Sequence, residues 1–176
     1  YGNFDPNNYL AIDPQVEAEL SGVTDEEEYS ARLREARLKQ WRDKAIADTY
    51  EPGSVFKIIT LSMALEEGAV SMDDSFYCGG SVDVLGRTSP VKCWKSGGHG
   101  SQTLKQALQH SCNVAAVNIG LKVGAEKFYE YVEAFGFFDK TGIDLPGESG
   151  SIWWPKQTFL NKKNLSQLAA ASFGQT

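Results

Sequence analysis

The chain has 176 residues, with 17 Lys and Arg against 23 Asp and Glu, for a net charge of -6. The acidic balance argues against nucleic acid as a main partner, and no apolar run approaches the roughly 20 residues of a membrane-spanning helix. Three cysteines are too few for a disulfide scaffold, which leaves an ordinary globular composition with enough chain for one real core.

The chain opens Tyr1-Gly2-Asn3-Phe4 and closes Phe173-Gly174-Gln175-Thr176. Both ends read as cuts inside a longer protein, with no leader peptide. Residues 1 to 22 are polar and irregular, with Asp5-Pro6-Asn7-Asn8 and Asp13-Pro14 as turn signals. Thr24 with Glu27 has the spacing of a capping box. From there to about Asp48 the chain is rich in Glu, Arg and Lys, with sparse apolar positions at Leu33, Leu38 and Trp41. That pattern predicts a solvated helix or pair of helices whose charge is surface rather than a binding patch.

Pro52 and Gly53 break what precedes them. Val55, Ile58, Ile59, Ser62/Met63 and Leu65 then recur with a helical period, and Glu66-Glu67-Gly68 ends the helix. Residues 69 to 100 change character. Phe76-Tyr77-Cys78 and Val82-Asp83-Val84-Leu85 read as short strands, and Ser96-Gly97-Gly98-His99-Gly100 as a mobile loop. Thr103 and Gln106 form another capping box, opening a helix with Leu104, Ala107, Leu108 and Ser111 on one face. It breaks at Ser111-Cys112-Asn113, whose two ends are cap-type residues, and a buried helix starts at Val114. Gly124 stops that helix, Ala125 to Phe135 makes a further one ended by Gly136, residues 136 to 158 are turn-rich, and Leu165 to Ala171 begins a last helix.

Two places invite chemistry. Ser54 and Lys57 are three apart and share one helix face. Ser54 reads either as an N-cap or as a nucleophile. The residue three after a cap is best acidic, and here it is Lys57, a cation at the positive end of the helix dipole. A lysine held there and partly buried deprotonates more easily, and a neutral amine beside a hydroxyl is a base beside a nucleophile. Ser89 and Lys92 repeat the spacing, but Pro90 makes that segment extended and points the two side chains to opposite faces. Ser111 and Asn113 are the second place: two capping residues at a helix boundary, or two side chains projecting into one cleft to relay protons and position substrate.

The remaining polar residues read as ordinary. His99 is a loop residue and His110 a helix residue. Neither is spaced with the cysteines like a zinc site, so no metal and no cofactor is expected. Cys78 and Cys93 flank a stretch with hairpin character. One bridge with a free thiol and three free thiols both remain open.

Ser-x-x-Lys at a helix start followed by Ser-x-Asn between helices resembles the serine penicillin-recognising proteins. The longer resemblance is to class B penicillin-binding proteins, the monofunctional transpeptidases. It is carried by Phe4-Asp5-Pro6-Asn7, by Tyr50-Glu51-Pro52-Gly53-Ser54-x-Phe56-Lys57, by Gly98-His99-Gly100, by Ser111-Cys112-Asn113 and by Thr141-Gly142-Ile143-Asp144-Leu145-Pro146-Gly147-Glu148. These segments span nearly the whole chain in the family's order.

The resemblance implies an α+β fold of the β-lactamase/transpeptidase type. Residues 1–176 would be a partial transpeptidase domain, mostly helical with short hairpin segments. The N-terminal strand and the C-terminal part of the antiparallel sheet would lie outside it. It implies a D,D-transpeptidase that cross-links peptidoglycan stem peptides through a serine acyl-enzyme and is acylated by β-lactam antibiotics. Ser54 would be the nucleophile, Lys57 its base, Ser111 the proton relay and Asn113 the substrate-amide ligand, with the Ser54 N–H as half of an oxyanion hole. It also implies other cell-wall synthesis proteins as partners, and a place on the extracytoplasmic face of a bacterial membrane. The family's third motif is a Lys-Thr/Ser-Gly on a strand. Lys140-Thr141-Gly142 has the right residues, but Phe137-Phe138-Asp139 is too short a strand and Asp144-Leu145-Pro146-Gly147 is a turn, so it reads as a decoy. The fragment alone is then expected to be inactive, its cleft open on one side. The rival readings are a serine β-lactamase and a non-catalytic β-lactam sensor or scaffold. Cys112 lies inside the second motif and Cys93 elsewhere in the same implied cleft region, and a disulfide involving these cysteines would couple activity to redox state outside the membrane; a Cys78–Cys93 hairpin bridge and free thiols are the alternatives.

Overall fold

The computed structural model describes residues 5–175. Phe4, which opens the first family-like segment, lies outside them. The described chain forms two compact units, one of residues up to 48 with 145–149, the other of residues 49–144 with 150–175.

The first unit is helical. α1 spans Pro14–Leu20, α2 Glu26–Trp41 and α3 Lys44–Ala47. The Asp13-Pro14 turn signal is in fact a helix start. Asp13 caps the Gln15 N–H and Pro14 occupies the first turn, where its missing N–H costs nothing. The Thr24–Glu27 capping box does not form, because Asp25 takes the cap one residue later and accepts from the Glu28 N–H. A carboxylate at that position also answers the helix dipole, as do Glu26, Glu27 and Glu28 in the first turn. α2 buries no residue, as its charge pattern predicts. It holds the preceding chain through side chains: Trp41 Nε1 donates to the Tyr9 carbonyl at 2.7 Å and Gln40 to the Ala11 carbonyl at 2.7 Å.

The second unit carries the core. A single 3-10 turn over Gly53–Phe56 leads into α4, Lys57–Glu66. Then follow β1 Ser75–Cys78, β2 Ser81–Val82, β3 Val91–Lys92, β4 Gly100–Thr103, α5 Leu104–Gln109, α6 Asn113–Val123, α7 Ala125–Ala134, α8 Lys156–Phe159 and α9 Ser166–Ala171. β1 pairs antiparallel with β4, Ser75 opposite Thr103, and β2 pairs antiparallel with β3, Ser81 opposite Lys92. The fold is thus helix-rich with a small amount of sheet. Val84 and Leu85 are not strand, although Val84 is buried, and Gly100 already belongs to β4 rather than to the preceding loop.

α6 is the central packing element, against α4 on one side and α9 and α7 on others. Its Val114, Ala115, Ala116, Val117 and Ile119 are all buried. Gly120 lets α9 approach, since a Cβ there would collide with the Ser172 hydroxyl. A second cluster is aromatic and gathers Phe56, Phe128 and Phe159 with Trp153 and Trp154.

α4 corrects the expected face. Val55 and Ile58 are 71% and 58% exposed and Leu65 is also exposed, whereas Phe56, Lys57, Thr60, Leu61, Met63 and Ala64 are buried. This helix is apolar around most of its circumference. Periodicity therefore finds stripes without saying which one meets the core. Its end is as expected, with Gly68 at φ 61° just past it.

Candidate active site

The 3-10 turn places Ser54 one turn ahead of Lys57. Ser54 does not cap α4, whose start has no side-chain cap. Its hydroxyl instead receives a hydrogen bond from Lys57 Nζ at 3.0 Å. The loop that carries it is pinned at Gly53, whose N–H donates to the Gly174 carbonyl at 2.9 Å. A Cβ on Gly174 would meet the Gly53 backbone well inside van der Waals contact, so this crossing depends on glycine. Sequence reasoning missed Gly174, because its partner is far along the chain.

Ser111 and Asn113 come to the same lysine from the α5–α6 junction, α6 packing against α4. α5 ends in a Schellman motif: the Ser111 N–H donates to the Leu108 carbonyl and the Cys112 N–H to the Ala107 carbonyl. That motif calls for a left-handed residue, usually glycine. Here it is Ser111, at φ 49°, the non-glycine residue with positive φ among the described residues. The strained turn directs both the Ser111 carbonyl, 2.8 Å away, and its Oγ, 2.9 Å away, toward Lys57 Nζ. The expected caps of the next helix are not Ser111 or Asn113. Cys112 is the N-cap of α6, its Sγ accepting from the Ala115 N–H. Asn113 is thereby released, and its Oδ1 accepts from Lys57 at 2.7 Å while its Nδ2 donates to the Lys92 carbonyl at 3.2 Å.

Lys57 is the hub of the site and is 1% exposed. Its Nζ has four neighbours within 3.0 Å: two carbonyl-type oxygens, from Ser111 and Asn113, and two hydroxyls, from Ser54 and Ser111. An ammonium has three protons to give. A neutral amine has two N–H bonds, which match the two oxygens that can only accept, and one lone pair, which would accept from one of the two hydroxyls in place of the bond donated to it. Burial pulls the Lys57 pKa below its ordinary value, against the opposing influence of Cys112 and then Cys93. The Cys112 thiol itself is pushed up to about 11, chiefly by burial. The geometry accommodates the base form, and burial favours it. Ser54, by contrast, is exposed, which leaves its Oγ reachable from solvent.

The structure therefore brings all four sequence-derived residues, Ser54, Lys57, Ser111 and Asn113, around one nitrogen. Lys140-Thr141-Gly142 lies in irregular chain, not on a strand, as its turn-rich setting predicts. Sequence reasoning did miss a gathering of Cys78, Cys93, His99 and Cys112, which meet behind the Ser111–Asn113 turn. The three thiols are unbonded. His99 sits in the loop as expected, but its ring belongs to that group and stacks on His110 at 5.1 Å.

Comparison with known proteins places the chain in a family. The chain is 40% identical over 174 residues to stage V sporulation protein D of Bacillus subtilis (strain 168), which covers 98% of this chain and 22% of that protein. Among solved structures it is similar to the D,D-transpeptidase domain of a peptidoglycan glycosyltransferase from Eggerthella lenta. That match has 30% identity and a TM-score of 0.67, over 84% of this chain and 35% of the other. It is similar also to penicillin-binding protein A of M. tuberculosis, solved as a ceftriaxone acyl-enzyme complex. There the identity is 25% and the TM-score 0.71, over 99% of this chain and 36% of the other. The chain thus spans about a fifth to a third of the length of these relatives. The family described as the penicillin binding protein transpeptidase domain matches residues 4–176, and the chain belongs to that family.

Proposed function

We propose that this chain supplies the nucleophilic part of a peptidoglycan D,D-transpeptidase. The observation that carries the reading is a buried lysine amine within hydrogen-bond reach of both Ser54 Oγ and Ser111 Oγ. Ser54 Oγ attacks the penultimate carbonyl of a stem peptide ending in D-Ala-D-Ala, and neutral Lys57 takes its proton. Ser111 passes a proton to the leaving nitrogen, and D-Ala departs. Asn113 binds the acyl-chain amide. The amine of a second stem peptide then attacks the Ser54 ester, forming the cross-link and regenerating the hydroxyl. The Ser54 N–H, in the 3-10 turn that leads into α4, is one oxyanion donor. β-Lactams acylate Ser54 by the same attack. We do not assign Lys140-Thr141-Gly142 to the substrate carboxylate, since that role calls for a strand.

Relatives named as peptidoglycan D,D-transpeptidases support this reading, and so does an acyl-enzyme complex among the similar structures. With peptidoglycan as substrate, the domain works on the extracytoplasmic face of a bacterial membrane beside other cell-wall synthesis proteins. Among the described residues no helix is long and apolar enough to cross a membrane. The test is fluorescent penicillin on the full-length protein, wild type against Ser54→Ala. Label on the wild type alone supports acyl chemistry, and equal label on both points away from Ser54. Nitrocefin separates the rival enzyme class: a single burst fits a transpeptidase, while steady turnover fits a β-lactamase.

A further inference from the structure

Cys78, Cys93, His99 and Cys112 have no role in the chemistry above, yet four segments of the fold deliver them to one place. Cys78 ends β1, Cys93 directly follows β3, His99 directly precedes β4, and Cys112 joins α5 to α6. One ligand atom from each, three sulfurs and a ring nitrogen, lie within 4.8 Å of one another. Cys93 Sγ is 3.9 Å from Cys112 Sγ and 3.5 Å from His99 Nδ1. A tetrahedral zinc site has metal–sulfur distances of about 2.3 Å and metal–nitrogen distances of about 2.0–2.1 Å, so its sulfur–sulfur edge is about 3.8 Å and its sulfur–nitrogen edge about 3.6 Å. Both separations match those edges. A disulfide needs sulfurs about 2.05 Å apart and uses only two of the three.

The surroundings are built for the same purpose. His99 is held between Trp94, edge-on at 5.3 Å, and His110, stacked at 5.1 Å. That slot leaves His99 Nε2 buried without a hydrogen-bond partner among the described residues, while Nδ1 is the ring nitrogen that faces Cys93. Gly98 lets the loop press against β1, because a Cβ there would collide with the Cys78 carbonyl and the Gly80 nitrogen. The Cys93 N–H donates to the Gly80 carbonyl at 2.8 Å. The Ala115 N–H donates to Cys112 Sγ at 3.4 Å, the kind of contact that steadies a metal-bound thiolate from outside the ligand set.

We propose that Cys78, Cys93, His99 and Cys112 bind one zinc ion in a closed tetrahedral site. On binding, the three thiols release their protons to solvent as three metal–sulfur bonds form, and the imidazole adds through a lone pair. Nothing is oxidised or reduced. Four protein ligands leave no open position, so the ion is structural. It ties β1, the β2–β3 hairpin and the loop before β4 to the α5–α6 junction. Cys112 stands between Ser111 and Asn113, so the ion anchors the backbone that presents both to Lys57; this last consequence rests on the acyl-transfer reading, while the site itself does not.

The test uses full-length protein purified with reductant and without chelator, loaded with Zn2+, desalted and assayed for metal by elemental mass spectrometry. Wild type and Ser54→Ala should each hold one zinc per chain. His99→Gln and Cys78→Ser should lose zinc to a competing chelator at concentrations at least about tenfold lower. Should Cys78→Ser fail to fold, His99→Gln, at a partly exposed position, carries the comparison. Cobalt(II) in place of zinc should show thiolate charge-transfer bands and tetrahedral ligand-field bands. Penicillin labelling is read separately: zinc retained with no label counts against the acyl-transfer reading and leaves the site standing. The site is overturned if reduced wild type holds no zinc, or if its three thiols are alkylated equally fast with and without Zn2+. A Cys93–Cys112 disulfide whose reduction yields no zinc binding overturns it as well.

Discussion

Lys57 Nζ lies 3.0 Å from Ser54 Oγ, and the two residues differ in exposure: Lys57 is buried and Ser54 open to solvent. A base kept out of water beside a hydroxyl reachable from water is the arrangement a serine acyltransferase requires.

The first prediction concerns pH. Burial holds the Lys57 pKa below the 10.5 it has when unfolded. Between the two values the unfolded chain binds the extra proton. The Lys57 contribution to stability is therefore greatest above the unfolded value and is lost as pH falls through the folded one. The stability of wild type minus that of Lys57→Met should rise with pH toward 10.5, measured by denaturant unfolding at a series of pH values. A flat difference would mean the lysine is not perturbed. The β-lactam acylation rate should rise with pH as well, with its inflection below 10.5.

Ser111 separates stability from chemistry. It occupies a left-handed position at φ 49°, where glycine avoids roughly 1 kcal/mol of steric cost. Ser111→Gly should raise Tm by about 2–4 °C and slow penicillin acylation by about a hundredfold or more. Ser111→Ala should slow acylation equally and leave Tm without that gain. Acylation unchanged in both variants would remove Ser111 from the proton path.

Gly174 sets the position of the Ser54 turn from far along the chain. Gly174→Ala forces its new methyl into the Gly53 backbone. Overpacking of this kind costs about 1–3 kcal/mol, and a nucleophile displaced by about 1 Å loses about a hundredfold in rate. Stopped-flow acylation should show that loss with the pH profile unchanged. A wild-type rate would show that the crossing of Gly53 and Gly174 does not place Ser54.

Most of the helical pattern is legible in the sequence because its signals are local. The Thr103–Gln106 capping box forms in full, Gly68 and Gly136 close their helices, and the break at Ser111-Cys112-Asn113 is where expected. The register of Ser54 and Lys57 follows from one helical turn. The departures are of two kinds. Some are local competitions, such as Asp25 outbidding Thr24 for a cap and Cys112 capping α6 in place of its polar neighbours. In the second case the loss of a capping role is what frees Ser111 and Asn113 for Lys57. The others are long-range. Which stripe of α4 faces the core, the contact between Gly53 and Gly174, and the meeting of three cysteines with His99 depend on segments far apart in the chain. Their spacing carries no signal of the roughly two-to-four-residue kind that marks a zinc pair.

The most direct measurement of the central claim is the site of β-lactam attachment. Full-length protein is incubated with penicillin, digested, and mapped by mass spectrometry, alongside Lys57→Met. The account predicts one penicilloyl adduct, on Ser54, formed at least about a hundredfold more slowly in the lysine variant. An adduct on any other residue, or one formed on Ser54 at the same rate without Lys57, would contradict it.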